Sequence, residues 1–419
     1  MKRILSVALA FILVLGLCAC GGKTEQKAEP KTFRVGFSRV NITPSSVNGL
    51  AMEGYKDQIC EGIFSYIMAT CVAITDEQNN TLLLYTVDKC ESERETIAAV
   101  RERLTKSTGI PGDNITLCAT HTHTSIKTSL TPDYIDQLVA AGEEALKDRA
   151  PATIQAGSYD VPNMNFVRHY IMNDGTYKGD NFGTSKSGYK SHTTDADPNM
   201  RLIRFVREGN KKDVLMVNWQ VHPRVASSGD TAEGRLTRNQ VSSDFIGFAR
   251  DHVEANEDVL MAYYTGASGN LNANSNLASE RNLAPLKPDL YGKQFGDHVI
   301  AALENLQPVQ TGSIGSKKAP LAAGGFYLHA YTVGSLGFAT VPAEIFDTTG
   351  MQIRQGSPCD ITFVLSCANG RNTYIPPTEV FDYASTGIIP YEVSICRYPQ
   401  GTAETLAQDL VNMLKELNG

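Results

Sequence analysis

Residues 82–119 have the sequence LLLYTVDKCESERETIAAVRERLTKSTGIPGDNITLCA, in which an amphipathic stretch separates two apolar runs. The runs Leu82–Val87 and Ile115–Ala119 have the length and composition of buried strands. Between them, Glu91–Thr105 carries apolar residues at helical spacing, and Gly109 follows as a helix terminator. Alternating strands and helices are typical of an α/β fold.

The same alternation extends over most of the chain. We predict strands at Phe33–Val40, Tyr66–Ile74, Arg201–Val206, Val214–Val221, Val259–Tyr264 and around Leu336 and Phe363. We predict helices at Tyr134–Leu146, Ser243–Glu254, Leu290–Leu306 and Glu404–Leu417. The expected architecture is one α/β domain, residues 33–419, with mixed β-sheet layers covered by helices. Residues Asn173–Asp197 lack apolar spacing, so we expect a long loop there that borders or covers a site.

Residues 1–20 are predicted to be a lipoprotein signal peptide. Two basic residues precede the apolar run Ile4–Leu17, which is shorter than the roughly 20 residues that a membrane-spanning helix needs. Leu17–Gly21 has the form of a bacterial lipobox, so Cys20 is the predicted lipidated residue; a cleaved, unlipidated signal is the alternative. Residues 21–32 are polar and predicted to be a flexible tether. We therefore expect an exported protein, lipid-anchored to the outer face of the bacterial cell membrane.

The balance of 45 acidic and 38 basic residues gives a formal net charge of −7, and no segment concentrates Lys or Arg. Nucleic acid is therefore not expected as a partner. Seven cysteines follow Cys20, and none lies in a Cys-x-x-Cys pair. An odd number without such pairs argues against a disulfide framework or a thiolate zinc site. We expect these thiols to be buried and unreactive.

Histidines stand at the ends of two predicted strands. His121 and His123 come directly after Ile115–Ala119, where an extended backbone would point both imidazoles to one face. His222 follows the strand Val214–Val221 in the same way. Imidazole is a common zinc ligand, and a strand end holds it rigidly. A surface or capping role for these histidines is the alternative.

Glu344 follows the apolar strand around Phe338. An unpaired charge there is costly if it is buried, and a metal ion would offset that cost. The alternative is that Glu344 begins a helix, whose positive end favours an acidic residue. Two stretches rich in Gly and Asn, Thr265–Asn274 and Asn369–Pro377, also follow strands. Glycine there lets the backbone approach a ligand closely, although ordinary turns have the same composition.

Taken in order, seven segments resemble the neutral (non-lysosomal) ceramidase family, whose members are zinc amidases that cleave the N-acyl bond of ceramide. They are Val35–Thr43, Met52–Tyr55, Thr120–Thr124, Val221–His222, Gly269–Asn274, Pro342–Glu344 and Tyr374. The resemblance implies a single catalytic domain that hydrolyses an N-acyl amide with metal-activated water. It also implies Zn²⁺ as the cofactor and an N-acylated small molecule or lipid as the substrate.

The resemblance also implies which residues form the site. The implied zinc ligands are His121, His222, Glu344 and Tyr374. The implied catalytic residues are His123, Arg168, Asn272 and Tyr398, of which His123 and Arg168 would stabilise the developing oxyanion. Asp244 matches a family aspartate near the site, and N-capping of the helix that follows it is the alternative.

Two departures from the family bear on the substrate. The family usually has a serine at the position of Asn272, and an amide cannot act as a nucleophile, whereas hydrolysis by zinc and water needs no serine there. Full-length ceramidases also continue into a C-terminal β-sandwich beyond the matched region. A smaller N-acyl amide is therefore an alternative to ceramide. Two other functions stay open: a non-catalytic solute-binding lipoprotein, and a degenerate family member that binds zinc without turnover.

Overall fold

The structure is a computed structural model. It describes residues 31–54, 57–127, 132–179, 187–228, 238–281, 283–284, 286–322, 325–370, 373–385 and 388–419. Cys20, the rest of the predicted signal peptide and residues 21–30 of the predicted tether lie outside these ranges. Lys31–Gly419 forms one compact unit.

Strands and helices alternate along the described residues. The strands are β1 Arg34–Asn41, β2 Gly62–Ile63, β3 Met68–Thr75, β4 Thr81–Val87, β5 Ile115–Ala119, β6 Ala150–Asp160, β7 Phe166–Val167, β8 His169–Met172, β9 Tyr177–Gly179, β10 Tyr189–His192, β11 Asn199–Arg207, β12 Asp213–Trp219, β13 Gln240–Val241, β14 Val259–Thr265, β15 Leu271–Asn272, β16 Gln307–Val309, β17 Ile314–Leu321, β18 Phe326–Val333, β19 Leu336–Thr340, β20 Glu344–Ile345, β21 Ile361–Leu365 and β22 Tyr374–Ile375. The helices are α1 Arg94–Thr108, α2 Pro132–Lys147, α3 Val225–Ser228, α4 Asp244–Asn256, α5 Pro288–Leu303, α6 Asp347–Gly356, α7 Thr378–Ser385, α8 Tyr391–Ile395 and α9 Thr402–Asn418.

Two mixed sheets form the middle of the unit. The larger sheet among the described residues has the strand order β14-β12-β11-β6-β1-β3-β4-β5, with β16 added beside β6. The smaller has the order β17-β18-β19-β21. The pairs β4–β5, β12–β14 and β19–β21 are parallel. Because parallel neighbours need a crossover connection, helices lie between these strands in the sequence.

The alternation of side chains along the strands builds the layers. In β4, Leu82 and Leu84 point into a cluster that also contains Phe338 and Phe363 of the smaller sheet. Leu83 and Tyr85 point to the opposite face, where α1 and α2 cover the sheet. Helices α4 and α5 cover β12 and β14, and α6 and α9 cover the far face of the smaller sheet. The layers are therefore helix, sheet, sheet, helix.

The structure confirms the predicted α/β class with mixed sheets covered by helices. The predicted long loop Asn173–Asp197 is wrong in its described parts, because β9 and β10 lie within it and pair with β8. The predicted helix Leu290–Leu306 ends earlier, at Leu303. Sequence patterns missed β6, β17 and β18, which have mixed polar and apolar faces. Within the described parts of the chain, no helix is both long enough and apolar enough to cross a bilayer.

Candidate metal centre

The carboxyl ends of strands from both sheets meet at one edge. Backbone hydrogen bonds join the loops there: the N–H of Ala119 donates to the Cys367 carbonyl (3.1 Å), and that of Ser366 donates to the Thr265 carbonyl (3.1 Å). The carboxyl ends of strands in α/β sheets are the usual place for ligand sites. Three of the predicted ligands follow strands that end at this edge: His121, His222 and Glu344.

His121 lies two residues beyond β5 and has a φ angle of 69°. A left-handed conformation costs a non-glycine residue about 1–2 kcal/mol, and such strain is concentrated at functional sites. The N–H of His121 donates to the carbonyl of Lys89 (2.9 Å), just beyond β4. The expectation of an extended backbone from His121 to His123 is therefore wrong. The two rings still meet, with Nε2 atoms 3.4 Å apart.

Two backbone carbonyls fix how the imidazoles of His121 and His222 are oriented. Nδ1 of His121 donates to the carbonyl of Cys90 (2.7 Å). Nδ1 of His222 donates to the carbonyl of Ser268 (3.2 Å). Each Nε2 atom is then left as the lone-pair nitrogen, and the two lie 3.1 Å apart. Outer hydrogen bonds of this kind are how proteins orient histidines that ligate metals.

Glu344 and Tyr374 are register partners in the parallel pair β20–β22. Burial would raise the pKa of the Glu344 carboxyl group, but His121 and then the neighbouring Tyr374 hydroxyl help to lower it. Gly269 lets the loop beyond β14 approach this pair, since a Cβ there would lie 2.9 Å from the Ile345 carbonyl oxygen. The alternative that Glu344 begins a helix is wrong, because α6 begins at Asp347. The cluster of His121, His222, Glu344 and Tyr374 is a candidate site for a metal ion, and we refer to it as the metal centre.

The atoms of the metal centre fit a cation. Glu344 Oε2 lies 3.1 Å from His121 Nε2 and 3.5 Å from His222 Nε2. Four-coordinate zinc with bonds near 2.0 Å spaces its ligand atoms about 3.3 Å apart. Burial opposes a charge on His121, but its acidic neighbours, chief among them the Glu344 carboxylate, together outweigh burial and raise the pKa of His121 well above its usual value. Either a proton or a metal ion would supply the positive charge that these facing lone pairs favour.

His123 adds a third imidazole to this cluster. Its ring centroid lies 5.1 Å from that of His222 and 4.9 Å from that of His121. Burial, and then the neighbouring His121, hold the pKa of His123 well below its usual range, so the ring is neutral. Gly54 packs on the backbone of His123: a Cβ at this glycine would lie 2.7 Å from the His123 carbonyl oxygen.

Two thiols lie on the outer side of His121. The Sγ atoms of Cys90 and Cys367 are 3.8 and 3.7 Å from its Nδ1 atom. Burial raises the pKa of both thiols, so they are neutral, and a neutral thiol is a poor metal ligand. Five of the seven described cysteines are buried and two are half-buried, and all are free. Cys90 also forms a group with His121 and His123 in which the possible ligand atoms lie within 4.8 Å of one another.

Arg168 follows β7 and is 2% exposed. Its Nη2 donates to the Tyr374 hydroxyl (3.2 Å) and to the Gly269 carbonyl (2.6 Å). Glu392 of α8 accepts hydrogen bonds from Nε (3.0 Å) and Nη2 (2.8 Å) of the same guanidinium. Sequence reasoning missed Glu392, because one acidic residue on a short helix has no recognisable pattern. The structure thus places a charged pair directly behind the metal centre.

The other two residues expected to be catalytic are Asn272 and Tyr398. Asn272 is half-buried in β15, where it is the register partner of Phe166. Two residues before it, the Asn270 carbonyl accepts the backbone N–H of Arg168 (2.9 Å). Tyr398 is 8% exposed and belongs to the hydrophobic cluster that lines β20 and α9.

Asp244 contacts the chain just beyond His222. Its carboxylate accepts the backbone N–H groups of Val225 (3.2 Å) and Ala226 (2.9 Å) at the start of α3. It also accepts the N–H of Phe245 (2.8 Å) in its own helix, α4. Burial raises the pKa of Asp244 to about 6, although these hydrogen bonds oppose the shift. Asp244 therefore ties α3 to α4 and supports the segment that follows His222.

Comparison with known proteins agrees with this architecture. Neither a protein-family model nor a curated protein sequence matches the chain. Among solved structures, neutral ceramidase from Pseudomonas aeruginosa superposes with a TM-score of 0.73 at 16% identity, covering 92% of this chain and 74% of that chain. A ceramidase complexed with C2 superposes with a TM-score of 0.72 at 17% identity, covering 91% and 75% of the two chains. The chain therefore has the fold of neutral ceramidase.

Proposed function

We propose that this chain is a zinc-dependent amidase of the neutral ceramidase family. The observation that carries the proposal is the triangle of His121 Nε2, His222 Nε2 and Glu344 Oε2, with sides of 3.1, 3.1 and 3.5 Å. Two nitrogens and a carboxylate oxygen are a donor set that zinc accepts, and Tyr374 supplies a second oxygen donor. The fold supports the same assignment, because the two solved structures compared above are ceramidases.

The residues around the metal centre suit amide hydrolysis. When bound, zinc supplies Lewis acidity, which polarises a carbonyl group and makes water more acidic. Neutral His123 can donate a hydrogen bond to the amide oxygen as negative charge develops there. Arg168 adds a fixed positive charge behind Tyr374. Donors held in place before the reaction stabilise an oxyanion without reorganisation, and the loss of one typically costs about 100-fold or more in rate.

We propose an N-acyl amide as the substrate, either a ceramide or a smaller N-acylated compound. Asn272 lies at the position where the family has serine, and its side-chain amide can donate and accept hydrogen bonds but cannot attack a carbonyl. The chemistry proposed here needs no nucleophilic side chain. Turnover of short N-acyl amides compared with a long-chain ceramide distinguishes the two substrate classes.

Metal analysis together with turnover tests this function. Purified protein should contain about one zinc per chain and should hydrolyse N-acyl amides. His222→Ala should lose both, whereas His298→Ala, which changes a half-buried ring on α5, should keep both. Metal-free, folded wild-type protein that still hydrolyses amides would contradict the zinc mechanism. Protein that binds zinc without any turnover would favour the degenerate alternative, and protein with neither would favour solute binding.

We also propose that the protein is exported and anchored by lipid at Cys20. The support is the lipobox-like segment Leu17–Gly21, which follows an apolar run of signal-peptide length. Labelling of cells with an alkynyl fatty acid should tag the wild-type protein and not Cys20→Ala. Equal labelling of both proteins would contradict the anchor.

A further inference from the structure

Glu392 combines complete burial with a position on a very short surface helix. It is 0% exposed, whereas its neighbour Tyr391 is 39% exposed and Ile395 is 37% exposed. The helix α8 that carries it has only five residues. A buried carboxylate is costly unless cations and hydrogen bonds surround it. Some contact on the inner side of α8 must therefore compensate this charge.

Two basic side chains provide that contact. Glu392 Oε1 accepts hydrogen bonds from Nε (3.0 Å) and Nη2 (2.8 Å) of Arg168. Glu392 Oε2 lies 3.1 Å from Nε2 of His169. Burial alone would raise the pKa of Glu392, but His169 and Arg168 outweigh it and hold the pKa at about 2. Glu392 is therefore ionised throughout the pH range in which the protein would work.

The same contact fixes the plane of the guanidinium. Arg168 is planar, so bonding two of its nitrogens to one carboxylate oxygen leaves little rotation about the end of the side chain. In that orientation Nη2 reaches the Tyr374 hydroxyl at 3.2 Å and the Gly269 carbonyl at 2.6 Å. Without Glu392, the buried Arg168 guanidinium would have only neutral partners on that side, and it would turn towards other acceptors.

We propose that Glu392 is a positioning residue for the amidase reaction: it holds Arg168 against the metal centre, and Arg168 in turn stabilises the charge that develops on the substrate. The proposal rests on the proposed function. It assigns the short helix α8 a task beyond packing, because α8 carries the counterion of a catalytic arginine. It also explains why a carboxylate is fully buried in a segment with an apolar outer face.

Steady-state kinetics of Glu392→Gln test this role. Glutamine keeps the size of the side chain and removes the charge, so we expect kcat to fall about 10-fold, with KM and zinc content unchanged, because only charge stabilisation in the transition state is lost. Arg168→Met should cost about 100-fold, and the double variant should be no slower than Arg168→Met alone, because the two residues act as one unit. Glu254→Gln is the matched control. It removes the same charge from a carboxylate that accepts two hydrogen bonds from Arg39 (3.0 and 2.7 Å) outside the metal centre, and it should keep kcat within about 3-fold.

The outcomes distinguish a positioning role of Glu392 from a structural role and from failure of the proposed function. Multiplicative losses in the double variant, or a fall in zinc content equal to the fall in kcat, would overturn the positioning role. A Glu392→Gln protein that fails to fold is replaced by Glu392→Asp, in which a shortened carboxylate should lower kcat and keep zinc. Wild-type protein with no zinc or no turnover would instead refute the proposed function, which the metal analysis detects before any variant is made.

Discussion

His121 combines a strained backbone with a fixed ring. Its φ angle of 69° is in the left-handed region, while its Nδ1 atom is bonded to the Cys90 carbonyl at 2.7 Å. The backbone conformation turns the chain so that Nε2 points to His222, and the hydrogen bond selects the tautomer that leaves Nε2 free to bind a cation. Strain in one residue is thus compensated by backbone contacts on both sides of it.

Substitution of Gly54 tests how closely the His123 ring must be held in place. A Cβ at this position would lie 2.7 to 2.9 Å from three backbone and side-chain atoms of His123, so Gly54→Ala should displace the ring. Because misplacement by about 1 Å can cost 100-fold in rate, we expect kcat to fall by at least 10-fold while zinc stays bound. Gly49→Ala is the matched control, since Gly49 has a similar φ of +84° and no atom within 4 Å. Equal activity of the two variants would contradict the close packing.

Asp244 should make stability depend on pH. Its pKa is raised to about 6 in the folded protein from 3.8, so between these values the native state binds more protons than the unfolded state. The free energy of unfolding therefore falls as pH rises from about 4 to about 6. Over this window Asp244→Asn should gain on the order of 3 kcal/mol relative to wild type. Urea unfolding of both proteins at several pH values measures the difference. If the free energies of unfolding of the two proteins change with pH in the same way, the raised pKa of Asp244 is contradicted.

At the scale of elements, a buried ion pair holds the loop after β4 to the loop that carries His123. Lys89 and Glu53 lie 2.7 Å apart with side chains 0% and 5% exposed. Glu53 also accepts the N–H of Cys90 (2.8 Å) and the hydroxyl of Ser125 (2.6 Å). The carboxylate therefore joins three separate segments near the metal centre.

Removing one member of this pair should be strongly destabilising. Lys89→Met leaves the Glu53 carboxylate buried without its cation, which typically costs about 3–5 kcal/mol. Arg103→Met, which removes one member of the exposed pair with Asp136, should change the free energy of unfolding little. Urea denaturation of both variants, in the same metal state, measures the contrast. A small effect of Lys89→Met would mean that water reaches the pair.

The sequence predicts long elements better than the short ones that complete the site. β5 begins and ends as expected at Ile115 and Ala119, because every residue in it is buried and the apolar run is unbroken. By contrast, β20 and β22 have two residues each, and only their pairing brings Glu344 beside Tyr374. No local pattern encodes such a contact. Residue chemistry raises Glu344 as a candidate ligand beside the helix-start alternative, whereas Tyr374 is proposed from the family resemblance alone.

At the scale of the whole molecule, the two sheets form one edge from distant parts of the chain. The proposed ligands His121, His222, Glu344 and Tyr374 are spread over some 250 residues of sequence and converge only when both sheets are packed. An unfolded chain cannot present them together. We therefore expect the proposed metal binding to be coupled to folding of the entire unit, so that the metal should stabilise the native state by the free energy of its binding.

Zinc should accordingly raise the melting temperature of the wild-type protein, and at free zinc about 1,000-fold above Kd the native state should gain about 4 kcal/mol. His222→Ala should show no such gain, while His298→Ala should respond as the wild type does. Protons compete for the same position, because Glu344 raises the pKa of His121. As pH falls through that raised pKa, His121 takes up a proton and the apparent zinc affinity falls. Thermal unfolding with and without zinc at several pH values follows both effects, and a zinc response that is independent of pH and of His222 would place the ion elsewhere.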